Sequence, residues 1–263
     1  WHIAIMSTMT TPTTSTTRTD VCIVGNGAIA KTTALGFAQA GHSVTLLAPP
    51  ARPAAEAPSS SSAAERPWDV RVYALNHTAH DLLASLKVWG ALDLARVAAV
   101  DAMDVHGDGA SGGNLAFDAF GARVGTLAWI VEDHNLNQAL DAALKFAHNV
   151  QRVEGRACEL ACHGEGAAVR LEDGRRIESA LLVGADGRES WVRGQCDIGV
   201  DYRMYHQRAI VTNFACDKPH HGVAYQWFTC NEGIVALLPL PGNRVSLVWS
   251  APETLADTLM DES

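Results

Sequence analysis

The stretch VCIVGNGAIAKTTALGFAQAG, Val21 to Gly41, decides the fold. Its apolar start, Val21–Val24, suits a buried parallel strand. A helix is expected over Ala28–Ala40, with Ile29, Leu35, Phe37 and Ala38 among its apolar positions, and Gly41 stands where a helix often ends in a glycine. Ser43–Leu47 supplies a second buried strand, so the stretch opens a βαβ unit.

The turn between strand and helix has two spellings. Gly25-x-x-x-x-Ala30-Lys31-Thr32 is close to a P-loop for a nucleoside triphosphate; Gly25-x-Gly27-x-x-Ala30 is close to a dinucleotide-binding turn. A P-loop needs a glycine just before its lysine, because successive backbone N–H groups must wrap the phosphates. Here that position is Ala30, and no clear acid for Mg²⁺ ends a nearby apolar strand. The dinucleotide turn tolerates Ala in its third place, where the requirement is close helix–strand packing. Gly25 then makes the tight turn and Gly27 lets the backbone approach a pyrophosphate. The helix points its dipole and free N–H groups at that anion. Lys31 is expected to face solvent. Such sites place an acid about 20 residues beyond the first glycine, on a ribose hydroxyl. The second strand instead ends Leu47-Ala48-Pro49-Pro50, and the next acid is Glu56. A βαβ unit that binds nothing fits the same turn.

The chain has 263 residues, enough for one large domain or two interleaved ones, with 48% hydrophobic content. Its net charge of −9 and lack of a basic block argue against nucleic acid and against a polybasic membrane anchor. Six scattered cysteines form no CxxC pair, and Cys158-x-x-x-Cys162-His163 has no second ligand pair for a metal. Free thiols in a reducing cytoplasm are expected. No apolar run approaches the roughly 18 residues of a membrane span. The chain begins with Trp; Met6 or Met9 is the expected start, and residues 1–18 read as a disordered Thr/Ser tail.

Pro49–Pro67 is rich in Pro, Ala and Ser and reads as a flexible loop. Order is expected to resume at Asp69–Leu75, followed by a helix over His80–Leu94. Strands are expected at Met103–Val105 and Leu115–Ala119, and a helix at Asn135–Ala147. Three more strands are expected at Val153–Leu160, Ala167–Leu171 and Arg176–Val183, with Asp173-Gly174 as a hairpin turn. Short strands follow at Arg208–Phe214, Val223–Phe228, Gly233–Pro239 and Arg244–Trp249. The fold class is therefore α/β in an α+β mix, a Rossmann-like nucleotide domain interleaved with a mostly antiparallel β-sheet domain. The expected division is 19–102 and 127–198 for the first, 103–126 and 199–263 for the second.

Two further segments bear on binding. Leu182–Gly187 is an apolar strand ending in GADG, where the Asp186 carboxylate could meet a ribityl or ribose hydroxyl; a plain Asp-Gly turn is the alternative. Arg71, among apolar neighbours in DVRVYAL, could pair a phosphate or form a surface ion pair.

Taken together and in order, several segments resemble the flavin-dependent aromatic hydroxylases of the p-hydroxybenzoate hydroxylase-like class, in the ubiquinone-biosynthesis branch. They are GNGAIAKTTALGFAQAG, Asp69–Leu92, Leu127–Leu140, Leu182–Arg193, Tyr205–Val211, His220–Phe228 and Gly233–Ser250. The resemblance spans residues 20–250 apart from the Pro-rich loop. It implies an enzyme that uses FAD, NAD(P)H and O₂ to hydroxylate an aromatic ring, here a prenylated phenol. It implies that Gly25, Gly27 and Ala30 cradle the FAD pyrophosphate and that Arg71 contacts the FAD phosphate or ribose region. Glu132 and Gln138 are candidate flavin or ribityl contacts, and Asp186 and Gly187 belong to the motif serving FAD and NAD(P)H. Arg193, beside that motif, is as well suited to a structural ion pair. Strands carrying Tyr205, His220, His221, Tyr225 and Trp227 would wall the substrate. No catalytic side chain is named and no metal is required.

The resemblance also implies possible partners among ubiquinone-biosynthesis proteins, and a cytoplasmic location with peripheral membrane contact suggested by the lipid substrate alone. Two departures stand out. The ribose-binding acid is absent, and the family's second Gly-Asp motif does not follow the LVWS strand. Weak FAD retention and little activity are therefore expected. A non-catalytic flavoprotein-like scaffold and a P-loop nucleotide binder are the competing readings.

Overall fold

The computed structural model describes residues 15–50, 67–108 and 112–261. In chain order, the elements begin with β1 (Thr16–Val24), α1 (Ala28–Gln39), β2 (Val44–Ala48), β3 (Val72–Leu75), α2 (His77–Ser85) and β4 (Val97–Val100). Next come β5 (Ala102–Gly107), β6 (Asn114–Asp118), β7 (Ala128–Glu132), α3 (Asp133–Leu144), β8 (Val150–Glu154) and β9 (Ala157–His163). The last are β10 (Gly166–Leu171), β11 (Arg176–Gly184), α4 (Trp191–Gln195), β12 (Gln207–Ala215), β13 (Val223–Thr229), β14 (Gly233–Leu240), β15 (Arg244–Pro252) and α5 (Glu253–Asp261).

The chain divides into two compact units. Among the described residues, the first holds residues 15–50 and Leu144–Gly199, the second 67–143 and 200–261. This boundary differs from the expected one: residues 67–102 and 127–143 cluster with the antiparallel sheet, not with the nucleotide-type sheet.

The first unit is built on one six-stranded sheet in the order β8-β2-β1-β11-β10-β9. β8, β2, β1 and β11 run parallel, and β11-β10-β9 continue antiparallel. The expected βαβ opening is present, with α1 between parallel β1 and β2. Val21, Cys22, Ile23 and Val24 are all buried, as a central parallel strand requires. The strand starts earlier than expected, at Thr16, where Thr16–Thr19 pair with Arg176–Ser179. Residues 16–18 thus belong to the sheet, because threonine suits a half-exposed strand; residues 1–14 of the expected tail, and most of the Pro-rich loop, lie outside the described residues. The expected single strand Val153–Leu160 is two: β8 at one edge of the sheet and β9 at the other, with Gly155 and Arg156 between. Gly174 (φ +90°) turns the β10–β11 hairpin as expected.

The second unit holds a six-stranded sheet, β12-β15-β14-β13-β5-β6, antiparallel except for the β13–β5 pair. A three-stranded sheet, β3-β7-β4, packs on it through Ala98, Val100, Ile130, Ala224 and Leu240. β4 and β7 were not anticipated: each is a short apolar run beside a helical signal, which periodicity alone does not separate. The helix expected over His80–Leu94 begins earlier and stops sooner. Asn76 caps it by accepting from the Ala79 N–H (2.9 Å). Lys87, at φ 61°, ends it, and a 3-10 turn follows at Trp89–Ala91.

Candidate functional site

In the first unit, β1 ends in the turn Gly25–Gly27 and α1 rises from it. Gly25 sits at φ +141°, and a Cβ there would fall 2.2 Å from the Ala185 carbonyl oxygen. The Gly25 N–H donates to Leu47 O (2.9 Å), and the Ala185 N–H to Val24 O (2.8 Å). The first glycine is thus fixed by backbone approach from the end of β11. Ala30 is fully buried, as helix–strand packing at the third position demands.

Gly27 is different. It is the N-cap of α1 in an extended conformation, with no side-chain cap and no acid in the first turn. A Cβ added to Gly27 would meet nothing within 4 Å. The helix start therefore offers amide donors beside an open space, and the residues fit an anionic group there. Lys31 corrects the expectation of solvent exposure: it is only 4% exposed. A lysine so placed does not extend toward phosphates in solvent as a P-loop lysine must.

Asp186 and Gly187 follow β11. Asp186 Oδ1 accepts from Ser190 Oγ (2.6 Å) and Oδ2 from the Val192 N–H (3.1 Å). Ser190 in turn caps α4 by accepting from the Arg193 N–H (3.0 Å). Both Asp186 oxygens thus orient α4. Gly187 holds φ +90°. Arg193 Nη2 donates to Arg188 O (2.7 Å), a local contact.

Register reveals a carboxylate that the sequence did not suggest. Glu154, at the end of β8, pairs with Ala48, at the end of β2, in parallel alignment. The acid absent from β2 has an exposed counterpart on the neighbouring strand.

In the second unit, Arg71 is exposed and its guanidinium lies over the Tyr73 ring, 5.6 Å from the centroid. Burial and the Asp133 carboxylate, which accepts from its hydroxyl at 2.6 Å, push the Tyr73 phenol up. Glu132 is 1% exposed. Its Oε2 accepts from Arg96 Nε (2.6 Å), and its Oε1 from Arg96 Nη2 (2.8 Å) and the Asp69 N–H (2.6 Å). The Glu132 oxygens thus sit in a buried ion pair. The same pair pushes the Arg96 guanidinium up, against the opposing effect of burial. Arg96 also stacks on Trp68 (4.2 Å), which takes Arg244 at 5.3 Å. Gln138 is exposed on α3, and nearby Asn135, buried, clamps the Asp93 backbone by both amide groups. Partners 36 and 42 residues apart leave no local sequence signal for Arg96 or Asn135.

Of the expected substrate wall, Tyr225 and Trp227 lie on β13 as anticipated. Their rings stack at 5.7 Å, and Trp227 stacks on His106 at 6.0 Å. Tyr205 and His221 are not on strands: Tyr205 is 74% exposed before β12, and His221 (φ 52°) sits in a turn. His220 is also in that region, and its ring is spent on backbone: Nδ1 accepts from the Gly222 N–H (3.0 Å) while Nε2 faces Leu240 O (2.8 Å). Among the described residues, no helix is long and apolar enough to cross a membrane.

No protein-family model matches the chain. It is 33% identical over 232 residues to the 3-demethoxyubiquinol 3-hydroxylase of Escherichia coli K12, covering 88% of this chain and 57% of that protein. It is 32% identical to the ubiquinone hydroxylase UbiL of Rhodospirillum rubrum, covering 92% of this chain and 54% of that protein. The chain thus spans little more than half of these relatives. Among solved structures, PqsL of Pseudomonas aeruginosa in complex with 2-aminobenzoylacetate superposes with a TM-score of 0.74 at 22% identity, over 93% of this chain and 64% of that one. The flavin-dependent monooxygenase PieE, in complex with FAD and substrate, gives 0.66 at 20% identity, over 89% and 43%. These likenesses establish the mixed α/β fold.

Proposed function

The chain is a sequence relative of the hydroxylases of ubiquinone biosynthesis, and from that kinship we propose that it serves an FAD-dependent monooxygenase that hydroxylates the ring of a prenylated phenol. NAD(P)H is the reductant and O₂ the oxygen source. One observation carries the cofactor assignment: the uncapped start of α1 beside the open space at Gly27.

When bound, FAD supplies the redox and oxygen-activating chemistry. The residues of this chain bind and orient it. The Gly27 turn and the first amides of α1 hold the pyrophosphate, with the helix dipole adding to the attraction. Gly25 and Ala30 keep the turn close enough to the sheet for that approach. Glu154 takes the ribose hydroxyl that β2 has no acid to meet. Arg71 contributes a cation to the phosphate or ribose region, and exposed Gln138 an amide to the flavin side. Asp186 acts by ordering α4, and Gly187 lets the chain pass close to the cofactor. Glu132 acts through Arg96, as a positioning residue. Tyr225 and Trp227 offer the aromatic surface for a phenol; Tyr205 and His221 are the weaker substrate contacts. Partner proteins of the same biosynthesis and peripheral membrane contact, at the cytoplasmic side, follow from a lipid-like substrate.

The test is NAD(P)H oxidation by the FAD-supplemented protein, with and without a prenylated phenol, with mass analysis of the product. The proposal expects phenol-stimulated oxidation and a product heavier by one oxygen, labelled from ¹⁸O₂. A flavin-loaded protein that neither speeds oxidation nor forms that product overturns the hydroxylase reading.

A further inference from the structure

The first unit contains a cavity of about 760 Å³ lined by residues of the β9–β10 hairpin, β11 and α4. Two of its lining residues are cysteines, Cys162 and Cys196, both free thiols with exposed surface. They come from separate elements: Cys162 lies on β9, and Cys196 is the C-cap of α4, its N–H donating to Val192 O (3.1 Å). α4 packs on β9, and Cys162 is the thiol that neighbours Cys196. The third thiol nearby, Cys158, is not in the cavity lining; its Sγ donates to Arg170 O (3.4 Å).

We propose that Cys162 and Cys196 are a redox modification site, a thiol pair that a peroxide converts to a disulfide bridging β9 and α4 across this cavity. Two thiols on adjoining elements that line one cavity are placed to be bridged, a step that requires their Cα atoms to come within about 7 Å. Desolvation and the neighbouring Cys162 thiol push the Cys196 thiol up.

With hydrogen peroxide, Cys162 sulfur attacks one oxygen. An S–O bond forms, the O–O bond breaks and one water leaves, giving a sulfenic acid. Cys196 sulfur then attacks the Cys162 sulfur. The S–S bond forms, the S–O bond breaks, and the hydroxyl leaves as a second water with the Cys196 proton. Two thiols are oxidised by two electrons, and one peroxide is reduced to two waters. The bridge ties the end of α4 to the sheet; the other end of α4 is already anchored through Ser190 and Asp186.

The experiment treats the folded protein with a small excess of hydrogen peroxide, blocks free thiols with iodoacetamide, and maps non-reduced peptides by mass spectrometry. The proposal expects a Cys162–Cys196 linked peptide, lost on dithiothreitol, with Cys158 alkylated throughout. C162S and C196S should each abolish it. Phenylarsine oxide, which bridges two close thiols, should protect both from alkylation in the untreated protein, a readout that needs no variant. Independent alkylation of the two in the presence of the arsenical, oxidation of each to sulfinic acid, or pairing with a different cysteine would overturn the proposal.

Discussion

Gly25 and Ala185 are in backbone contact: a side-chain carbon on Gly25 would sit 2.2 Å from the Ala185 carbonyl oxygen. The contact joins the ends of β1 and β11, while the Gly25 N–H reaches Leu47 at the end of β2 (2.9 Å). Two glycines two residues apart therefore do different work. Gly25 closes the sheet end, and Gly27 leaves the start of α1 open.

Gly25→Ala is expected to destabilise the protein by about 3 kcal/mol or more, since a strained dihedral and a backbone clash combine. Gly27→Ala is expected to cost under about 1 kcal/mol, the ordinary penalty for losing a tolerated N-cap. It should nonetheless weaken FAD binding by narrowing the open space. Thermal melts with a flavin titration of each variant separate the two; equal loss of stability in both would contradict the division of roles.

Glu132→Ala leaves Arg96 mostly buried without its carboxylate, and about 3 kcal/mol should be lost. The double variant Arg96→Met with Glu132→Leu should recover much of that stability. Chemical denaturation of the single and double variants checks this, and a Glu132→Ala protein as stable as the parent would deny the pair its structural role.

Asp20 clasps Ser43: its Oδ2 accepts from the Ser43 N–H (2.7 Å) and hydroxyl (2.8 Å), which hold its carboxyl below the usual value of 3.8. A carboxyl lowered in the folded state favours folding above its unfolded value and loses that effect as pH falls through the folded value. Stability should therefore drop below about pH 4 by less in Asp20→Asn than in the parent. Denaturation midpoints from pH 6 down to pH 2.5 measure the difference, and parallel curves would rule out the clasp as a pH-sensitive element.

Glu154→Gln is expected to weaken FAD binding several-fold while leaving the melting temperature unchanged, because the side chain is exposed at the end of an edge strand. The comparison to make is with Glu159→Gln, an exposed acid on the opposite edge, paired with Arg170. If both variants bind alike, Glu154 has no part in the ribose site.

The sheet order of the first unit was partly legible, because Val21–Val24 and Val44–Leu47 are apolar runs and Gly41 punctuates them. β8 and β9 were not separable, since Val153–Leu160 is one continuous β-type run and only tertiary packing sends its halves to opposite edges. Polar strands such as Thr16–Asp20 gain their place from pairing with β11, which no local pattern announces. At the site, the glycine turn was readable as geometry. Glu132 was legible as a residue of interest, but its partner Arg96 lies 36 residues away. Glu154 could not be seen until strand register placed it beside Ala48.

The most direct measurement is a titration of the purified, folded protein with FAD, followed by quenching of flavin fluorescence, alongside Gly27→Ala. The account predicts saturable binding of one FAD per chain, weakened in the variant with its fold intact by circular dichroism. A folded parent protein that leaves flavin fluorescence unchanged, or binding indifferent to Gly27→Ala, would contradict the claim that this turn holds the cofactor.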